Sequence, residues 1–114
     1  LQADLEPFSN LLVSEVQSVT GSTAIIPADY ALHPAYPNPF NPITNIKYDL
    51  PLESKVILEV YNINGELVEI LYSGFKLAGN HILEWNAKVY PSGVYFVKLD
   101  TDEFTQTQKL MLVK

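Results

Sequence analysis

The sequence predicts an all-β fold: a seven-stranded antiparallel sandwich with an N-terminal extension. Three observations predict it. Apolar and polar residues alternate along several short runs, turn signals recur about every ten residues, and no stretch after Thr44 keeps a helical period. The 114 residues fit one domain. With 47% apolar and 18% charged residues, the chain has enough core-forming side chains to fold.

The strands are justified in order. Thr44, Ile46, Tyr48 and Leu50 fall on one face and Asn45, Lys47 and Asp49 on the other, which is a half-buried strand. Pro51 ends it. Val56, Leu58 and Val60 alternate with Ile57, Glu59 and Tyr61. Asn62-Ile63-Asn64-Gly65 then supplies a tight hairpin turn. The return strand is expected over about Glu66–Tyr72, with breaks at Ser73-Gly74 and at Leu77-Ala78-Gly79-Asn80. His81, Leu83 and Trp85 line one face of the next strand. Pro91-Ser92-Gly93 is a turn, and Val94–Asp100 is rich in β-branched and aromatic residues. Asp100-Thr101-Asp102-Glu103 makes the last hairpin loop, and Phe104–Val113 the final strand. A seventh strand comes from Tyr30–Tyr36. Most links read as hairpins, with one or two crossing between the sheets.

The extension covers residues 1–31 and the sandwich residues 32–114. In the extension, Leu5, Phe8, Leu12, Val16 and Val19 fit a loose helical period, while Leu11-Leu12-Val13 with Ser14, Val16 and Ser18 fits a strand equally well. Linkers rarely carry so many large apolar residues, so this region is expected to pack on something. Leu1–Thr20 shows no basic-then-apolar signal sequence. The chain begins at Leu1 and not at Met, as expected after processing or inside a longer protein.

Composition also excludes function classes. There is no cysteine, hence no disulfide, thiolate metal site or cysteine nucleophile. The net charge is −6 and every basic residue is a lysine, a poor match for nucleic acid or anionic membrane. No apolar run approaches the ~20 residues of a transmembrane helix. His33 and His81, far apart and without cysteine, make no zinc pattern. His33 is expected to be exposed and His81 to be a hydrogen-bonded structural histidine. Asp100, Asp102 and Glu103 lack calcium-loop spacing and read as a solvated hairpin tip. Ser92 lies in a turn motif with no triad around it. No cofactor, metal or catalytic residue is expected, and the chain reads as a non-enzyme. Trp85 reads as a core anchor. A carbohydrate-binding face of Tyr61, Tyr72, Tyr90 and Tyr95 stays open as a minor reading.

Tyr36-Pro37-Asn38-Pro39-Phe40-Asn41-Pro42 is the most informative segment. Its prolines impose an extended backbone poor in amide donors, Asn38 and Asn41 can bond nearby backbone, and Phe40 can plug an end of the core. Further on stand Thr44, Ile46, Tyr48-Asp49-Leu50-Pro51, Val60-Tyr61-Asn62 with Gly65, Leu77-Ala78-Gly79, His81, Trp85-Asn86, Ser92-Gly93-Val94-Tyr95-Phe96 and the Lys109–Lys114 tail. In this order the motifs resemble the type A C-terminal sorting domains of the type IX secretion (Por secretion) system, over roughly the last two-thirds of the chain.

The resemblance implies an Ig-like sandwich at the C-terminus of an exported cargo, reaching the cell surface or exterior through the periplasm. The implied partners are outer-membrane components of the translocon and a surface sortase. The implied recognised residues are Lys109, Leu110, Met111, Leu112, Val113 and Lys114, and the implied cleavage falls somewhere within Val19–Leu32. Tyr36, Pro37, Asn38, Pro39, Phe40, Asn41, Pro42, Gly65, Gly79, Trp85, Ser92, Gly93 and Tyr95 are family motif residues with a mainly structural role. An alternative is a self-assembling extracellular subunit, a homo-oligomer or filament joined by the N-terminal arm or an edge strand.

Overall fold

The computed structural model of the protein describes residues 26–114. The choice between helix and strand over Leu5–Val19, and much of the implied cleavage segment, fall outside the described residues. Those residues form seven strands: β1 (Ala31–Leu32), β2 (Ile43–Leu50), β3 (Ser54–Asn62), β4 (Leu67–Lys76), β5 (Gly79–Asn86), β6 (Gly93–Asp100) and β7 (Thr105–Leu112). They make two antiparallel sheets, β1-β2-β5 and β4-β3-β6-β7. No helix among the described residues is long and apolar enough to cross a membrane.

Alternation becomes burial directly. Thr44, Ile46, Tyr48 and Leu50 of β2 are buried, as are Val56, Leu58 and Val60 of β3, Val97 and Leu99 of β6, and Leu110 and Leu112 of β7. A side-chain period of two sends every second residue of each sheet into the shared interior. The buried Thr44 hydroxyl on β2 is satisfied: Oγ1 donates to the Pro37 carbonyl at 2.7 Å. The Asn62–Gly65 turn forms as read, with Gly65 at φ 81° and the Asn62 side-chain oxygen accepting from the backbone of Asn64 and Glu66.

Three expectations need correction. First, Ser73-Gly74 is not a break. β4 runs through to Lys76, and Gly74 is a strand position at φ 154° where a Cβ would lie 3.1 Å from the Tyr72 hydroxyl oxygen. Secondly, three links cross between the sheets (β2 to β3, β4 to β5, β5 to β6), because β2 and β5 are neighbours although β3 and β4 lie between them in sequence. Thirdly, the seventh strand shrinks to Ala31–Leu32, with a single further bridge from Tyr36 to Asn45. The chain after Tyr36 turns away from the first sheet to reach the second, bending as it goes in place of the extended run expected of its prolines.

β4 departs most from simple alternation. Its register with β3 slips twice, leaving Val68 and Leu71 as bulged residues that pack part-buried against the core.

Tyr48 is the largest polar side chain fully inside, 1% exposed and stacked on His81 with ring centroids 5.2 Å apart. Burial, and then the neighbouring Tyr72, push its hydroxyl from 10.0 up to about 12. The folded state therefore holds this proton more tightly than the unfolded chain does. Its contribution to stability is complete below pH 10 and is lost as pH rises toward 12. Urea midpoints measured from pH 8 to 11.5 are expected to fall steeply above pH 10, and Tyr48→Phe is expected to make that fall shallower.

Candidate recognition surface at the C-terminal strand

β7 is an edge strand in sequence and in topology, yet its edge is not free. Exposed strand edges are normally covered or blunted, because their amides and carbonyls would otherwise recruit another chain. Here the cover comes from the segment 70 or so residues earlier. Phe40 N–H donates to Met111 O at 2.9 Å, and Val113 N–H donates to Phe40 O at 2.9 Å, a one-bridge parallel contact. The Asn38 side chain completes it: Nδ2 donates to Lys109 O at 2.9 Å and Oδ1 accepts from Met111 N–H at 2.9 Å. Asn38 thus bonds backbone across the sandwich, where the sequence suggested a local turn. One amide satisfies a carbonyl and an amide of the same strand because a primary amide offers both a donor and an acceptor in one plane.

The first half of β7 is tied differently. Gln106 and Gln108 stand on its inward side, in phase with Leu110 and Leu112. Their side chains reach the outer edge of β1: Leu32 N–H donates to Gln106 Oε1 at 3.2 Å, and Gln108 Nε2 donates to Leu32 O at 2.9 Å. One glutamine supplies the acceptor and the other the donor, so the two sheets are stitched along this side by side chains.

Under the tail lies an aromatic cluster. Trp85, 1% exposed, packs with Phe40, Tyr90 and Tyr95 at centroid separations of 5.6, 5.8 and 5.7 Å. Its indole Nε1–H donates to Glu69 Oε1 at 3.1 Å, and the Tyr90 hydroxyl shares its proton between that same oxygen and Val68 O, at 2.9 and 3.1 Å. Tyr95 donates to Pro91 O at 2.7 Å. Burial first, and then Glu69, raise the Tyr90 hydroxyl above its ordinary value; burial raises that of Tyr95. The last residue is anchored to the same end. Lys114 N–H donates to Ser92 Oγ at 3.0 Å, and its Nζ donates to Lys88 O at 2.7 Å.

The six tail residues named from the sequence therefore divide. Leu110 and Leu112 are core, 0% and 2% exposed. Lys109, Met111, Val113 and Lys114 are exposed. On the same outer face, Phe96 stands opposite Lys109 and Val94 opposite Met111. The result is a half-apolar strip with a lysine at its edge, beside the clamped end of the strand.

Of the motif residues, Phe40, Trp85 and Tyr95 are brought together in the aromatic cluster. Ser92 and Gly93 flank the tail, and Pro42 O accepts from Ala87 N–H at 2.8 Å, closing the same end. Tyr36, Pro37, Pro39 and Asn41 are exposed. Gly65 also lies at this end, whereas Gly79 begins β5 at the opposite one. Gln106 and Gln108 were not singled out by sequence reasoning, and Tyr90 was named only for a carbohydrate-binding face. The signal was present for the glutamines, since polar residues at the inward phase of an amphipathic strand need a partner.

Other readings resolve by position. Trp85 is the core anchor expected, and Tyr90 and Tyr95, two of the four tyrosines of the carbohydrate-face reading, pack against it. His81 Nε2–H donates to Leu77 O at 2.8 Å, the structural role expected of it. His33 is part-exposed and pairs with Asp49, Nε2 to Oδ2 at 2.7 Å, while Asn80 Nδ2 donates to the other carboxylate oxygen at 2.8 Å. Burial draws the Asp49 carboxyl upward, but these hydrogen bonds and the charges of His33 and His81 outweigh it and hold the group below its ordinary value. Asp102 and Glu103 are exposed at the last hairpin, and Asp100 accepts from Thr105 Oγ1 at 2.9 Å.

A family model described as a secretion system C-terminal sorting domain matches residues 34–114. No curated protein matches the chain.

Replacement of Asn38 by Ala is expected to expose the Met111 amide while leaving the Val113 amide bonded to Phe40. Residue-resolved hydrogen exchange should show faster exchange at Met111 and little change at Val113. Because the site is near the surface, the stability loss should be no more than about 1 kcal/mol.

Proposed function

Since the chain belongs to the C-terminal sorting domain family of type IX secretion, we propose that it directs an attached protein to the cell surface or exterior, and that the translocon reads the displayed half of its last strand. The observation that carries this reading is the division of the tail by strand phase. Lys109, Met111 and Val113 face outward together with Val94 and Phe96, while Leu110 and Leu112 hold the fold; Lys114 is exposed beyond the strand. A receptor meeting the folded domain can touch only the first group. The role is one of recognition, and no catalytic step is assigned to it.

The mode of contact follows from the clamp. Because Asn38 and Phe40 occupy the outer edge of β7 from Lys109 to Val113, a receptor that added a strand there would first have to displace them. Docking of side chains on the outer face requires no such change. The part-apolar strip supplies buried area, and the exposed lysines supply charge for orientation. Residues 1–31 then serve as the connection to cargo, with the sortase cut within Val19–Leu32.

The reading is tested by export of a reporter fused ahead of the chain in a bacterium with type IX secretion. Met111→Asp combined with Lys109→Glu is expected to leave the thermal midpoint of the purified chain near that of the parent and to abolish export. Leu110→Ala is expected to fail for a different reason, losing about 2–5 kcal/mol of stability. Full export of the folded Met111/Lys109 double variant would overturn the assignment of this face.

A further inference from the structure

Three of the four sheet edges are protected, each by a different device. The β7 edge is covered by Asn38 and Phe40. The β1 edge is capped by Gln106 and Gln108. The β4 edge is interrupted by two bulges, with Val68 O taken by Tyr90 and Phe75 O taken by the Tyr72 hydroxyl at 2.8 Å. Bulges and side-chain caps are the usual ways of preventing edge-to-edge pairing.

The β5 edge has none of these. Its eight residues pair with β2 without a register shift, and they include no proline, no lysine and no bulge. Tyr36 and Asn45 exchange both backbone hydrogen bonds, so the odd-numbered residues of β2 point their backbone toward β1 and the even-numbered ones toward β5. In β5 this leaves the N–H and C=O of Asn80, Ile82 and Glu84 directed outward. Among the described residues none pairs with them. The same three side chains are exposed, Ile82 at 61%.

The order of these residues is self-complementary. If two β5 edges meet antiparallel and centred on Ile82, isoleucine faces isoleucine and each Asn80 faces a Glu84. One Asn80 N–H already donates to Asp49, and the second is available to the opposing carboxylate. A register centred on Glu84 would set carboxylate against carboxylate, which is disfavoured. The hydrogen-bonding geometry permits this alignment, and the side-chain order favours it over the one centred on Glu84.

We propose that β5 is a homodimerisation edge, pairing antiparallel about Ile82 with β5 of a second copy to make a continuous six-stranded sheet. The contact is two-fold and closes on itself, so it gives dimers and not filaments. It does not depend on the sorting role.

The test uses the full chain. Sedimentation equilibrium is expected to show a monomer–dimer equilibrium, and Ile82→Lys, which would oppose two lysines at the centre, should weaken it by about tenfold or more. Val89→Lys, at an exposed loop position off the edge, should leave it unchanged. Alignment is read by cross-linking. The chain has no cysteine, so a mixture of Asn80→Cys and Glu84→Cys proteins should oxidise to the mixed disulfide in preference to either homodisulfide. A monomer up to about 1 mM, a dimer indifferent to Ile82→Lys, or equal homodisulfide formation would overturn the proposal. Cross-linking keeps the test decisive if Ile82→Lys fails to fold.

Discussion

The short contact between Asn38-Pro39-Phe40 and the last strand is the constraint on which the rest of the architecture depends. It joins the entry of the domain to its exit. Phe40 is held by backbone bonds to Met111 and Val113, and its ring is placed against Trp85. Trp85 in turn fixes Glu69 and, through it, Tyr90 and the β4 edge. Without this contact β7 would be bonded on one side only, to β6, and the aromatic cluster would lose its lid. A strand at the end of a chain is ordinarily prone to fray; here both its edges are engaged and its last residue is anchored through Ser92 and Lys88.

How much of this was legible in the sequence depends on the range of the interaction. The strands were legible because alternation is local, and each buried run of β2, β3, β6 and β7 matches its period. The Asn62–Gly65 turn was legible because Asn-Gly carries its own geometry. The extent of β4 was not, since Gly74 serves side-chain packing with Tyr72 and resembles a turn glycine in sequence. The role of Asn38 was not legible either. An asparagine among prolines suggests a local turn, and only the completed sandwich brings Lys109 and Met111 within reach. The glutamines of β7 are an intermediate case: their inward phase signals an unpaired polar group, but the partner is the backbone of Leu32, which carries no side-chain signature.

The candidate surface shows the same division. The tail was identified as six consecutive residues, and the fold separates them into alternate ones. Leu110 and Leu112 are buried in the core, while Lys109, Met111 and Val113 stand outside. Family resemblance in a strand records both groups without distinguishing structural from recognised positions. The phase of the strand distinguishes them, and phase is set by which residues reach the core.

This interleaving bears on why a sorting signal would be a folded domain. In an extended peptide, every side chain is available and the signal can be read before the cargo has folded. In β7, the outward residues acquire their spacing and orientation only when the inward ones are buried. The clamp by Asn38 and Phe40 adds a second condition, since it forms only after the whole sandwich has brought the first and last segments together. On the proposed reading, a receptor for the outward face would therefore sense completion of the domain and not merely the presence of its last residues. The strip formed by Lys109, Met111, Val94 and Phe96 exists as a surface only when β6 and β7 are paired, so recognition and folding report on the same contacts.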